Sequence, residues 1–159
     1  MDDLRLVTVY ARNCDVRRLE KPVASAFLAA NHKMGDATSR YRYGLFVRRH
    51  TGMSEAGLEP ETLVAVAAFS NARRWKKESG TVASYEWIRY ASLPDVRVVG
   101  GMGKMLQTFI EDVRPDDIMT YCDTSWSDGN AYRELGFEQE GIIEKPEFKC
   151  LKFRLKVTK

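Results

Sequence analysis

Three glycines, Gly100, Gly101 and Gly103, interrupt the stretch "VVGGMGKML" (98–106) immediately before a run with helical spacing. Glycine loses more backbone freedom on folding than any other residue, so its use at a helix start needs a reason. The first N–H groups of a helix lack intrahelical acceptors and lie at the positive end of its dipole, and the two effects together attract phosphate. Side chains would block that approach. The stretch therefore reads as a main-chain seat for a diphosphate, built from the amides of Val99, Gly100, Gly101, Met102, Gly103 and Lys104, with the Lys104 ammonium adding charge. A tight strand-to-helix turn without a ligand has the same composition and stands as the alternative. Neither usual nucleotide motif is present: there is no Gly-Lys-Ser/Thr ending, and no G-x-G-x-x-G after the first strand.

Other chemistry-bearing residues are sparse. Cys14, Cys122, Cys150, His32 and His50 lack metal-ligand spacing, so no metal is expected. The stretch "NARRWKKE" (71–78) sets Trp75 among Arg73, Arg74, Lys76 and Lys77, a mixture that can meet phosphates and stack on a base, or simply form a solvated loop tip. Arg48 and Arg49, beside His50, form a second basic cluster, expected at the opposite end of the strands. A net charge of +3 and pI near 8.8 suit an anionic ligand but fall short of a dedicated nucleic-acid binder. No run of about 18 apolar residues exists and the N-terminus lacks a secretion-signal layout, so a cytoplasmic protein without a membrane partner is expected. With 159 residues and 44% hydrophobic content, one domain spanning 1–159 is expected.

These residues need elements to hold them. Alternation in "LRLVTVY" (4–10) predicts a strand, and "KPVASAFLAANHK" (21–33) a helix with proline in its first turn. Three β-rich runs, 41–49, 61–70 and 82–92, read as an antiparallel meander. Met105, Leu106, Phe109, Ile110 and Val113 then mark a half-buried helix ended by Arg114-Pro115, followed at once by the strand "DIMTYCD" (117–123). A strand, a three-turn helix and a strand form the minimal crossover between parallel neighbours, so 82–92 and 117–123, the fourth and fifth strands, should run parallel. A short helix within 127–137 and a closing hairpin complete β-α-β-β-β-α-β-α-β-β, an α/β (α+β) mixed sheet with helices on its faces.

That order, with "GGMGKML" after the fourth strand and "AYRELGF" after the fifth, resembles the GCN5-related N-acetyltransferase (GNAT) superfamily. Its phosphate loop has the form Q/R-x-x-G-x-G/A, and its later helix often ends in Tyr-x-x-x-Gly-Phe. Loop matched to loop, Gly101 and Gly103 fall on the family's glycines, while Val98 stands where Gln or Arg is usual; Arg97 is the neighbour that could stand in. A looser resemblance links the chain to a phage-associated branch, some of whose members modify DNA bases or accompany DNA-processing enzymes.

The resemblance implies acetyl-CoA as acyl donor, its diphosphate on the loop and its pantetheine arm paired with free main-chain groups of Tyr90, Ala91 and Leu93 where the two parallel strands splay. It implies direct transfer to a small-molecule or peptide amine in a ternary complex. Tyr132 would protonate the leaving sulfur, Glu86 would take the amine proton, Asp123 would orient a cationic acceptor, and His32 would act as base or binding residue. Plainer roles stand beside each of these: a packing aromatic, an ion pair of Glu86 with Arg89, a turn cap and a helix-end histidine. The alternatives for the whole chain are a nucleic-acid substrate, with the basic stretches holding phosphates, and a catalytically silent CoA-fold protein that binds a partner. A homodimer through edge strands fits either.

Overall fold

The computed structural model describes residues 7–48 and 58–158. The chain runs β1 (Val7–Tyr10), a turn of 3-10 helix (Ala11–Asn13), β2 (Cys14–Arg18), α1 (Lys21–Asn31), β3 (Tyr41–Val47), β4 (Leu63–Phe69), β5 (Arg73–Lys77), β6 (Gly80–Ser92), β7 (Val96–Val99), α2 (Gly101–Val113), β8 (Asp117–Asp123), α3 (Asn130–Glu134), β9 (Glu138–Lys145) and β10 (Phe148–Lys156). The main sheet has the order β2-β3-β4-β6-β8-β10-β9, with β5 hairpinned onto β6 and β1 paired parallel to β7 apart from it. The expected mixed sheet, the meander (here β3-β4-β6) and the parallel pair (β6 and β8) are all present.

Three strands are additional. The expected first strand is broken at Ala11–Asn13, which sends β1 to β7 and β2 to the edge of the main sheet. The stretch expected as a basic loop tip is β5, in register with the start of β6. Arg49, His50 and residues 4–6 lie outside the described residues.

Helices cover both faces of the sheet, so the central strand β4, "LVAVAAF", is apolar almost throughout. On one face Phe109 of α2 stacks on Phe69 with ring centroids 3.9 Å apart, edged by Tyr41, Tyr43 and Tyr85. On the other, Ala24, Phe27 and Leu28 of α1 pack on Val66, Ala68 and Ala91. Arg154 ties the C-terminal hairpin together by bonding the nearly buried Asp117 and, at 2.8 Å, Glu140. That pairing holds the Glu140 carboxyl down at about 2. A carboxyl depressed in the folded state stabilises above its unfolded value and loses that contribution as pH falls toward the folded one. Stability measured against pH should therefore decline between about 4.5 and 2 in the wild type, and less steeply in Glu140→Gln.

Gly100, just before α2, adopts φ +81, and a Cβ there would meet Ala11 Cβ at 3.6 Å, an ordinary contact. The requirement there is conformational, so Gly100→Ala should cost about 1–2 kcal/mol and lower Tm by a few degrees.

Candidate active site

The two parallel strands are paired only over Ser84↔Asp117, Tyr85↔Ile118 and Glu86↔Met119. Beyond that point β6 is bulged: Ala68 of β4 faces Arg89 and the next residue, Phe69, faces Trp87, which leaves Ile88 extra. A bulge bends and overtwists its strand, and this one carries the second half of β6 away from β8. The Thr120 hydroxyl bridges the strands where they part, donating to the Trp87 carbonyl at 2.9 Å. The opening is a cleft of about 610 Å³, lined among others by His32, Glu86, Arg89, Met102, Asp123 and Tyr132.

At one end of the cleft stands the start of α2. The Lys104 amide makes the first intrahelical bond, to the Gly100 carbonyl at 3.1 Å. Among the described residues, the amides of Gly101, Met102 and Gly103 have no protein acceptor. A Cβ on Gly101 would lie 2.5 Å from Val98 Cγ1, 3.2 Å from the Tyr90 hydroxyl and 3.3 Å from Leu45 Cδ2. The loop therefore rests on its supporting side chains, with three amides unpaired among the described residues.

The titratable groups divide the remaining work. Glu86 is half-buried and lines the cleft, and its carboxylate has no hydrogen bond or ion pair among the described residues. Burial raises its affinity for a proton, and the charges of Arg73 and Arg89 oppose that rise without cancelling it. The ion pair with Arg89 is not formed: that guanidinium donates to the carbonyls of Gly35 (3.1 Å) and Ile88 (3.0 Å). His32 Nδ1 accepts the Met34 amide at 2.9 Å. Burial, and then Arg89, lower its affinity for a proton, so the ring is neutral near pH 7 with its hydrogen on Nε2. Such a ring can donate into the cleft, but its lone pair is already occupied. Asp123 Oδ1 caps the turn after β8 by accepting the Ser125 amide at 2.9 Å while the residue still borders the cleft.

Tyr132 packs its ring against Trp87, Phe137 and Phe153. Burial raises its phenol above the ordinary value, against the effect of a hydrogen bond with Thr120, so the hydroxyl stays protonated. Burial and the neighbouring Tyr132 likewise push Tyr90 up to about 12.

Comparison with known structures meets this geometry. An Arabidopsis thaliana NAA60 in complex with acetyl-CoA matches with a TM-score of 0.66 at 9% identity, over 91% of this chain and 98% of that one. A Desulfovibrio desulfuricans protein assigned to the GNAT family matches with a TM-score of 0.62 at 13% identity, over 91% and 99%. The fold is that of the GNAT acetyltransferases. The Escherichia coli ribosomal-protein-S18-alanine N-acetyltransferase matches with a TM-score of 0.58 at 14% identity, over 92% and 95%. No family model and no curated protein matches the sequence.

Within this GNAT fold the expected side chains Glu86, Asp123, His32 and Tyr132 all border one cleft, while several expected main-chain and loop contributions are corrected. Leu93 has no free main-chain group facing the cleft: its amide donates to Val64 at 2.9 Å and its carbonyl accepts from Val96 at 3.1 Å. Alternation along an antiparallel ladder then directs Ala91 to β4 as well, and leaves the N–H and C=O of Tyr90 and Ser92 facing outward. Val98 and Val99 are not loop residues but part of β7, opposite Val9 and Tyr10. Since Val98 packs under Gly101, Arg97 projects from the other face of β7 and does not take its place. The Lys104 ammonium does not face a phosphate: it donates to the carbonyls of Ala11 (2.9 Å) and Cys14, which pins α2 to the turn before β2. Sequence reasoning missed Arg89 as a cation in the cleft and the Tyr90 hydroxyl beneath the loop. The bulge at Ile88 that turns Arg89 and Tyr90 to their faces has no local signature.

Among the described residues no group of three or more metal-ligating side chains comes together, and no helix is long and apolar enough to cross a membrane.

Proposed function

We propose that this chain transfers the acetyl group of acetyl-CoA to an amine by direct attack within a ternary complex. The observation that carries this reading is one cleft through the sheet bordered by the unpaired Glu86 carboxylate, the Tyr132 phenol and Met102, whose amide, like those of the adjoining Gly101 and Gly103, has no protein acceptor among the described residues. Diphosphate on the amides places the pantetheine arm along the outward groups of Tyr90 and Ser92, and the thioester between Glu86 and Tyr132. The amine nitrogen attacks the thioester carbon, the C–S bond breaks, Glu86 accepts the amine proton, and Tyr132 donates a hydrogen bond to the departing sulfur. His32 supplies its Nε2 hydrogen to the acceptor and Asp123 borders the acceptor side.

Calorimetry and thermal unfolding with acetyl-CoA test the reading. Ligand at about 100 times Kd should add about 2.7 kcal/mol of stability, several degrees in Tm. Absence of both heat and shift would refute it and favour a CoA-fold protein that only binds a partner. In a working assay, His32→Ala should raise the acceptor KM by about 2- to 12-fold, the worth of one neutral hydrogen bond, with a much smaller change in kcat.

A further inference from the structure

Strand β5 is exposed at every residue, Arg73 to Lys77, although it is fully registered on β6. Arg73 lies opposite Ser84, Trp75 opposite Val82 and Lys77 opposite Gly80. Directly opposed residues share a sheet face, and Glu86 is two residues beyond Ser84 on the same strand, so Arg73, Trp75 and Lys77 rise from the face that carries Glu86. The influence of Arg73 on the Glu86 carboxyl agrees with that placement.

The Trp75 indole is held rather than loose. Its N–H donates to Ser84 Oγ at 3.1 Å, and Ser84 Oγ donates to Asp117 Oδ2 at 3.0 Å. Even so, the residue is 44% exposed. None of Arg73, Arg74, Lys76 and Lys77 pairs with a carboxylate among the described residues, and Lys77 lies over the Trp75 ring with its Nζ 4.5 Å from the centroid. By contrast, Arg48 of the second basic cluster is bonded to Asp15 at 2.8 Å and to the Arg12 carbonyl. At the cleft mouth the same combination recurs: Lys33 lies over the exposed Trp126 ring, 5.2 Å from its centroid.

We propose that β5 is a docking strand for a single-stranded nucleic acid, with phosphates on Arg73 and Lys77 and a base stacked on Trp75 in place of the Lys77 ammonium, so that the bound strand leads to Glu86 at the cleft. Resting on the acetyltransferase reading, this makes the acceptor an amine carried on that nucleic acid. An acidic peptide would satisfy the cations but leave a fixed, exposed indole unused. A nucleic acid uses both, because every base has a face to stack.

Fluorescence anisotropy of the full chain with a labelled oligothymidine of about 20 nucleotides tests the docking. Two phosphate contacts on a single strand give a log–log salt slope of about −1.4, so affinity should fall about sevenfold between about 50 and 200 mM salt. Removing one contact in Arg73→Ala should halve that slope. Trp75→Ala should weaken binding at least about fivefold, with partial recovery in Trp75→Phe. No binding at low salt, variants that bind like the wild type, or polyglutamate competing as well as oligothymidine would each overturn the proposal. Acetyl-CoA is titrated separately. Heat with acetyl-CoA but no oligonucleotide binding refutes the docking alone, and the opposite result refutes the acetyltransferase reading alone.

Discussion

Glu86→Gln should lower kcat by about 10²- to 10⁴-fold, the range for loss of a positioned general base, while acetyl-CoA affinity stays nearly unchanged. Glutamine keeps the size of the side chain and its half-buried seat but cannot accept the amine proton. The pH dependence follows from the direction of the shift. Burial raises the Glu86 carboxyl above its ordinary value, so the active, ionised fraction rises with pH through that raised value, and the acid limb lies higher than for an exposed carboxylate. Stability should move the other way. A carboxyl with a raised folded-state value stabilises fully below its unfolded value and loses that contribution as pH rises through the folded one. At neutral pH Glu86 is therefore ionised at some cost, and the glutamine variant should unfold at an equal or higher temperature. A large drop in kcat without loss of stability separates catalysis from packing. Unaltered turnover would remove Glu86 from the mechanism and leave the carboxylate without a task.

The elements that proved legible from sequence are those whose apolar period survives burial. The stripe of Met105, Leu106 and Phe109 announces α2, and the crossover from β6 through β7 and α2 back to β8 sets β6 and β8 parallel at the cleft. Gly136, at φ +98 after α3, ends that helix where a glycine after a helix should. What stayed hidden depended on distant partners. No glycine or proline marks the break at Ala11–Asn13, because that turn exists to let β1 reach β7. Strand β5 carries so many charges that composition argues for a loop, yet pairing with β6 fixes it as a strand. The glycine-marked start of α2 was readable from the sequence, whereas the fate of Lys104 was not, since its acceptors, Ala11 and Cys14, are about ninety residues away in sequence. The same applies to His32. Its place after α1 was visible, but the capture of Nδ1 by the Met34 amide, which turns a candidate base into a donor, is a matter of local loop geometry.

Tyr132→Phe should lower kcat by about 10²-fold or more, at the lower end of the range for positioned acid catalysis, with little change in stability. Phenylalanine preserves the ring contacts with Trp87, Phe137 and Phe153 and removes only the hydroxyl. The expected role of that hydroxyl is narrower than full proton transfer. Burial raises the phenol above its usual value near 10, whereas an ordinary thiol lies at about 8.5. Complete transfer to a thiolate would therefore run uphill, and the phenol works by hydrogen-bonding the charge that develops on sulfur as the C–S bond opens. Thioesters with more acidic thiol leaving groups build up less basic sulfur and should depend less on Tyr132, so the ratio of wild-type to Tyr132→Phe rates should shrink along such a series. The alkaline limb of the wild-type profile should lie above the usual phenol value, because the active form is protonated, and it should vanish in the phenylalanine variant. Turnover equal to wild type across the series would assign Tyr132 to packing and leave the leaving sulfur to solvent.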